Sequence, residues 1–370
     1  MASTTSSIVW RAGDSEKPVP VRPSNDIFRS DILGAIEKKI EEMSEQLYEL
    51  SLDIHDHPEL GYEEKHAHDV LTAFMAKQGF QVTEHHLLPT AWRAIFTRGN
   101  GARTIGVNAE ASANSGLKTL YTDSSSQDGC SSIRGHNLIS ISAVALSVSL
   151  KHVMETFDIP GTIELLGTPA EEFLSGKVKL LELGAYKNMD ICLMCHPAPG
   201  PKGSASLSSC LAVQRISAEY SEPTQRFHLG KASQNALDAA VITYNNISAL
   251  RQQLRPDVRV HGIIDGKNWA ANVIPDNARY LCYVRASTRA AQEVAMKRVI
   301  PCFEAAALAS GCKLKTTIIG GTYDLRQNKS LGDELARVMC SRYGGVDYEW
   351  GIAGASTDFA SQGSTLSLGD

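Results

Sequence analysis

Strand-like and helix-like segments alternate between residues 91 and 195, and few folds accommodate such an alternation. Short apolar runs such as 161–167 are typical of buried strands, whereas the longer run 138–154 is typical of a helix. Alternating strands and helices form βαβ units, in which the strands are parallel. We therefore predict an α/β unit with a mixed, mostly parallel sheet, with strands at 91–97, 104–108, 161–167 and 190–195 and helices at 138–154 and 174–183.

Two amphipathic helices precede this alternation, and a different pattern follows it. Apolar residues recur every three or four positions across 32–50 and again across 67–75, which predicts one helix in each segment. Residues 212–319 then give the order strand, helix, strand, strand, helix, strand, which is that of a ferredoxin-like α+β unit. A last helix, 331–343, has no packing partner in that unit, so we expect it to return to the first one.

The chain is long enough for two domains, and the pattern inserts one into the other. We expect a mobile N-terminal arm at 1–29, the first part of the larger domain at 30–207, the small domain at 208–319, and a truncated second part of the larger domain at 320–370.

Charge and hydropathy exclude two classes of partner. The chain has 36 basic and 41 acidic residues, a balance unlike that of nucleic-acid-binding proteins. Its longest apolar stretch is interrupted by serines and is shorter than the ~20 residues that a membrane span needs. The eight cysteines lie mostly in apolar runs and are expected to be free thiols, and no secretory signal is visible. We therefore predict a cytoplasmic protein with no nucleic-acid partner and no membrane segment.

Carboxylates and a histidine follow two strands that should end at the same edge of the sheet. Glu171 and Glu172 follow strand 161–167, and His196 follows strand 190–195. One crossover joins these strands, so they run in the same direction, and if they are neighbours their carboxyl ends share the edge where ligands bind. Histidine and carboxylate ligands around an open position are typical of hydrolytic metal sites. The alternative is structural, with the glutamates complementing a helix dipole and His196 an ordinary loop residue.

A third segment, residues 135–137, favours the metal site. Its sequence Gly-His-Asn stands directly before helix 138–154, so we expect Asn137 to cap that helix while His136 faces the same edge of the sheet. A structural explanation would then have to account for candidate ligands at the ends of three separate elements.

Several motifs follow one another in the order found in a known enzyme family. They are DHPELGYEE at 56–64, GVNAE at 106–110, GHN at 135–137, GTPAEE at 167–172, CHP at 195–197, NVIPD at 272–276 and STDF at 356–359. On these motifs the chain resembles the M20 family of metallopeptidases and amidohydrolases. The resemblance points to its aminoacylase-like branch, which includes Xaa-Arg (β-alanyl-lysine) dipeptidases.

The resemblance implies a zinc-peptidase-like α/β catalytic domain interrupted by a ferredoxin-like lid, through which we expect a homodimer. It implies hydrolysis of the amide bond of a dipeptide or an N-acyl amino acid with one or two divalent metal ions. Zinc is the expected metal, with manganese or cobalt as alternatives. By their positions in the motifs, Glu171 would be the general base, and the metal ligands would be His136, Glu172 and His196.

The chain departs from the family pattern in three places. The family has a metal-binding cysteine where this chain has Arg134, and a guanidinium has no lone pair to donate. The candidates to replace it are Asp123, Asp128 and Cys130. Segment 230–236 lacks the lid histidine that polarises the substrate carbonyl, which leaves His261, together with Asn272, as candidate substrate-binding residues. No histidine follows residue 261, so the family's last metal ligand is missing.

Two functions remain open from the sequence. The first is a metal-dependent amide hydrolase with at most one complete metal site, since the retained ligands are His136, Glu172 and His196. The second is a catalytically inactive relative that binds a small molecule or pairs with an active homologue.

Overall fold

The computed structural model describes residues 9–10, 28–100, 103–110, 135–171, 175–198, 200–207, 209–222, 234–267, 269–347 and 356–360. Four residues discussed above in connection with the missing cysteine ligand lie outside these ranges, namely Asp123, Asp128, Cys130 and Arg134. Glu172 and most of segment 230–236 also lie outside them.

A five-stranded mixed sheet forms the centre of the larger unit. Its strands are β2 Gln81–Thr83, β3 Trp92–Arg98, β4 Thr104–Glu110, β5 Gly161–Thr168 and β6 Ile191–Leu193, in the spatial order β2-β3-β5-β4-β6. Strand β4 pairs in parallel with both β5 and β6, while β3 is antiparallel to β5 and β2. The predicted mixed α/β architecture is thus confirmed, with β4 between the two strands whose carboxyl ends were expected to share an edge.

In the described part of the chain, five helices of the larger unit precede the small unit. They are α1 Ser30–Glu42, α2 Ser44–Asp56, α3 Lys65–Lys77, α4 His136–Thr156 and α5 Gly176–Glu182. The single helix expected across 32–50 is wrong, because α1 ends at Glu42 and α2 starts at Ser44, with Met43 between them. Met43 is buried in the core, so the apolar periodicity continues across the break and does not reveal it.

Helix α4 is the buried helix of this unit and packs on β4, β5, α1 and α2. It is long and apolar enough to cross a membrane by length and composition, but 61% of its most apolar window is buried inside the protein. Its start differs from expectation: the residue preceding the helix is Gly135, with φ 70°, so Asn137 is not the cap. Instead Asn137 lies in the first turn, where its amide donates to the Ser51 hydroxyl of α2 at 3.0 Å.

The small unit is a four-stranded antiparallel sheet with two helices on one face. Its elements are β8 Ala212–Ser221, α6 Ala236–Arg251, β9 Arg259–Asp265, β10 Asn277–Ala286, α7 Arg289–Ser310 and β11 Lys313–Thr322, and its strand order is β11-β8-β10-β9. Alternate residues of β8 and β10 point to the helices and are fully buried, among them Ile216, Tyr220, Tyr280 and Val284. The two edge strands are β9 and β11.

The end of the described chain returns to the larger unit. Strand β12 Gln327–Asn328 pairs with β1 Val9–Trp10, and helix α8 Lys329–Arg342 leads to β13 Gly345–Asp347, which pairs in parallel with β7 Ser204–Ser206. Arg342 and Tyr343 bind the Glu37 carboxylate of α1, with contacts of 2.6 to 3.0 Å.

Candidate metal centre

Three potential metal ligands come from the ends of three elements. Glu110 is the last residue of β4, His136 is the first residue of α4, and Glu171 follows β5 by three positions. One ligand atom from each lies within 4.8 Å of the other two. The structure thus brings together two of the predicted site residues, His136 and Glu171, and adds Glu110.

The parallel pairing of β4 and β5 produces this convergence. Glu110 is the register partner of Thr168, so the chain leaves both strands at the same edge. Helix α4 is fixed at this edge because the Ser140 hydroxyl donates to the Glu110 backbone carbonyl at 2.8 Å. In the sequence Ser140 interrupts an apolar run, and this bond explains why it lies there.

The two histidines present their rings to each other across the edge of the sheet. The centroids of His136 and His196 are 5.8 Å apart, with the planes nearly perpendicular. His136 is 3% exposed, and its Nδ1 lies 3.4 Å from Glu110 Oε1. Nδ1 of His196 lies 2.7 Å from the Pro197 carbonyl oxygen and must donate to it, because a carbonyl can only accept. Nε2 of His196 therefore keeps a lone pair for a metal ion.

A buried ammonium group joins two buried carboxylates beside this cluster. Lys177 Nζ lies 2.6 Å from Glu110 Oε2 and 2.5 Å from Asp358 Oδ1. The Lys177 backbone N–H also donates to Asp358 Oδ2 at 2.9 Å. All three side chains are at most 1% exposed, so each charge is compensated by a partner rather than by water.

The pKa values reflect this compensation. Burial acts to raise the pKa of Glu110, but the charges of Lys177 and His136 outweigh it and leave that pKa below its usual value. Burial raises the pKa of Asp358, and Lys177 opposes the shift. Burial would lower the pKa of Lys177, yet Asp358 and Glu110 raise it, so the ammonium form persists.

The donor set and its charge fit one divalent cation. Three carboxylates, those of Glu110, Glu171 and Asp358, lie near one ammonium group, that of Lys177, in a largely buried region. A divalent ion would add positive charge where these carboxylates are shielded from water. Histidine nitrogens and carboxylate oxygens are also the ligands that Zn²⁺ accepts. The Lys177 ammonium lies between Glu110 and Asp358 and compensates their charge. These two carboxylates therefore do not need a second metal ion.

The two candidate substrate-binding residues lie on the small unit, away from this cluster in the chain. Asn272 is exposed in the connection between β9 and β10. His261 lies on the edge strand β9, with its ring centroid 5.6 Å from that of Tyr283. Burial and the charge of Arg285 lower the pKa of His261.

The sheet face opposite α6 and α7 is basic. The guanidinium groups of Arg215 and Arg285 lie 5.9 and 6.0 Å from the centre of the Tyr283 ring. Arg285 Nη1 also donates to the Ser356 hydroxyl at 2.7 Å, two residues before Asp358. This contact joins the basic face of the small unit to the segment that holds Lys177.

Sequence reasoning missed Glu110, Lys177 and Asp358 as site residues. Glu110 and Asp358 stand inside motifs that had been noted, and Glu110 also ends an apolar strand, so a signal for each was present. Lys177 gives no such signal, because a lysine in a short helix is usually exposed.

Comparisons with known proteins identify relatives of this chain. No family model matches the chain. The chain is 36% identical over 316 residues to the human Xaa-Arg dipeptidase, which covers 79% of this chain and 67% of that protein. It is 28% identical to a p-aminobenzoyl-glutamate hydrolase component of Escherichia coli, over 75% of this chain and 58% of that protein. The chain is thus shorter than both of these curated relatives.

A solved structure with the same fold supports the comparison. It is that of a dinuclear metal-binding peptidase of the M20 family from Bacillus subtilis. The two structures align with a TM-score of 0.60 at 18% identity, over 88% of this chain and 87% of the other.

Proposed function

Because this chain belongs to the M20 family of metallopeptidases and amidohydrolases, we propose that it hydrolyses the amide bond of a dipeptide or an N-acyl amino acid. The observation that carries the proposal is the cluster of Glu110, His136 and Glu171 at the edge of the sheet, beside the buried Lys177 ammonium. The curated relatives at 36% and 28% identity are named as a dipeptidase and a component of a hydrolase. The cluster and these relatives together favour an enzyme over a binding protein.

Each residue has a role in the proposed reaction. We expect the metal ion to be held by His136, His196, Glu110 and Glu172. The expected metal is zinc, with manganese or cobalt as alternatives. When bound, a divalent ion supplies Lewis-acid polarisation of the substrate carbonyl and acidifies a water molecule. The Glu171 carboxylate accepts a proton from the attacking water and delivers it to the leaving amine. Lys177 holds the Glu110 carboxylate in place.

The basic face of the small unit suits a substrate with a free carboxylate. Arg215 and Arg285 are guanidinium groups, which bind carboxylates through paired hydrogen bonds. The hydrogen bond from Arg285 to Ser356 places this guanidinium on the side of the small unit that meets segment 356–358. His261 and Asn272 are proposed to contact the rest of the substrate.

The assembly and location of the protein are also proposals. We expect a homodimer through the small unit, since β9 is an edge strand and edge strands are usually covered or paired. Ile263 on this strand is 61% exposed, which an interface would bury. The cytoplasm is the expected location, since the described cysteines are all free thiols.

Metal content and hydrolysis, measured together, test the proposed function. Purified protein should hold about one equivalent of divalent metal by elemental analysis, and chelation should abolish the hydrolysis of at least one member of a substrate panel. The panel contains alanyl-arginine, β-alanyl-lysine, p-aminobenzoyl-glutamate and N-acetylated amino acids. Two tightly bound equivalents would contradict the single site. Binding of panel members without turnover would favour the inactive relative.

A further inference from the structure

A buried carboxylate from outside the cluster holds the turn that precedes Glu171. Glu64 immediately precedes α3 and is 2% exposed. Its Oε1 accepts a hydrogen bond of 2.8 Å from the Ala170 backbone N–H, across 106 positions of sequence. Ala170 is fully buried and is bonded directly to Glu171 in the chain. Glu64 thus contacts the backbone one residue away from the proposed general base.

The turn adopts a conformation that needs such support. Ala170 has φ 58°, in the left-handed region that residues with a Cβ rarely adopt. Its carbonyl accepts from the Gly176 backbone N–H at 3.2 Å, and a Cβ on Gly176 would lie 1.9 Å from the Pro169 carbonyl oxygen. The turn therefore packs against backbone on one side and is held by the Glu64 carboxylate on the other. Strained backbone of this kind persists where the surroundings fix it.

Glu64 is itself fixed by a second contact. The Thr90 hydroxyl donates to Glu64 Oε2 at 2.8 Å, so each carboxylate oxygen has a different partner. Thr90 lies just before β3, where the Trp92 ring covers Gly167 so closely that a Cβ there would overlap the indole. The Thr90 and Trp92 contacts thus hold the start of β3 against Glu64 and against the end of β5, next to the turn at Ala170.

We propose that Glu64 is a positioning residue for the general base, and that its hydrogen bond to the Ala170 N–H directs the Glu171 carboxylate toward Glu110 and His136. The inference rests on the proposed function, since it assigns Glu171 as the base. Glu64 does not touch the cluster and takes no part in proton transfer. It acts through the backbone of the turn, whose displacement would move the Glu171 carboxylate out of reach of the attacking water.

Variants at position 64 separate positioning from stability. Glu64→Leu removes both acceptor atoms, whereas Glu64→Gln keeps an oxygen for the Ala170 N–H. Displacement of a reacting group by about 1 Å can cost about 10²-fold in rate, so we expect kcat to fall about 10²-fold in Glu64→Leu, with KM nearly unchanged. Glu64→Gln should restore most of kcat. Glu63→Leu, at the exposed neighbouring position, is the matched control and should leave kcat unchanged.

Amide hydrogen exchange gives a reading that does not depend on activity. Exchange at residues 168–171 should accelerate in Glu64→Leu and not in Glu63→Leu, while the metal content of both variants stays at the wild-type value. If Glu64→Leu fails to fold, Glu64→Gln and Thr90→Val take its place, with Thr90→Val expected to lower kcat by a smaller factor.

The outcomes distinguish the two proposals. An unchanged kcat in Glu64→Leu would overturn the positioning role, as would a loss that Glu64→Gln does not restore. A wild-type protein that cleaves no panel substrate would overturn the proposed function. In that case exchange still decides the role of Glu64, because unchanged protection of residues 168–171 in Glu64→Leu would show that it does not hold the turn.

Discussion

Lys177 is the residue on which the charge balance of the site depends. Its ammonium is enclosed by Glu110 and Asp358, and none of the three side chains has access to water. Removing one partner of a buried ion pair leaves an uncompensated charge, which is more costly than the loss of the attraction itself. The site therefore depends on a residue that was not expected to take part in it.

Replacing Lys177 tests this dependence. Lys177→Met keeps the length of the side chain but leaves two carboxylates facing each other, and we expect the free energy of unfolding to fall by about 3–5 kcal/mol. Urea unfolding of the metal-free protein measures the change. Lys179→Met, an exposed position on the same helix, is the control and should change it by less than about 1 kcal/mol. Equal losses in the two variants would contradict the role of Lys177.

One substitution distinguishes the proposed role of Glu171 as general base from a role in metal binding. Glu171→Gln keeps the shape of the side chain but cannot accept a proton from water, so hydrolysis should fall by about 10² to 10⁴-fold. Steady-state kinetics measure the fall, while circular dichroism and elemental analysis should show the wild-type fold and metal content. A variant with the wild-type rate would remove Glu171 from the mechanism.

The proximity of Glu171, His136 and His196 could be predicted because these residues follow strands or start a helix, and the carboxyl ends of parallel strands meet at one edge. Asp358 and Lys177 are 181 positions apart, and their pairing follows from the return of the chain to the larger unit. Local sequence patterns do not indicate a contact between residues so far apart, so the charge compensation at Lys177 could not be predicted from them.

At the scale of elements, the order of strands and helices was predictable and their lateral arrangement was not. The sequence pattern predicted the order of strands and helices along the chain in both units. Nothing in the sequence placed β4 between β5 and β6 in the sheet. The break between α1 and α2 was also hidden, since Met43 continues the apolar stripe. Periodicity indicates which face of an element is buried, and it carries no information on strand neighbours or on a break that leaves this face unchanged.

The edge strand β9 is the element on which the expected homodimer can be tested. Light scattering at micromolar concentration should give twice the 40.0 kDa of one chain. Ile263→Lys places a charge on this edge, and charged edge strands resist pairing, so the variant should be a monomer. Val294→Lys, at an exposed position of α7, is the control and should remain dimeric. A wild-type mass of one chain would contradict the dimer.

At the scale of the whole molecule, Glu37 joins helix α1 to the end of α8 in a way that depends on pH. Hydrogen bonds from Arg342 and Tyr343 lower the pKa of Glu37 from 4.5 to about 2. A carboxyl with a lowered pKa in the folded state stabilises the protein above its unfolded pKa and loses this contribution as pH falls through the folded value. The link should therefore be complete at neutral pH and weaken between pH 4.5 and about 2.

Unfolding at several pH values tests this link. The free energy of unfolding of the wild type should exceed that of Glu37→Gln at about pH 7, and the difference should shrink by about pH 3. Urea titrations of both proteins measure it. Glu42→Gln removes an exposed carboxylate that lies 3.9 Å from Lys38 and 4.0 Å from Lys39 of the same helix, and it should give a smaller difference at about pH 7. A difference that is equal at both pH values would contradict the prediction.

The chain enters and leaves the small unit at one place. Val213, near the start of β8, is the register partner of Thr322, the last residue of β11. Opposed residues of an antiparallel pair have Cα atoms only about 4.5 to 5.5 Å apart, so a link of two or three residues would close the gap left by removing this unit. The small unit is therefore an insertion whose two ends lie side by side. It can be lengthened, exchanged or removed without changing the path of the strands that lead to Glu110 and Glu171. With substrate contacts on the small unit, as proposed above, changes in substrate choice would accumulate there while the residues proposed for hydrolysis on the larger unit stay the same.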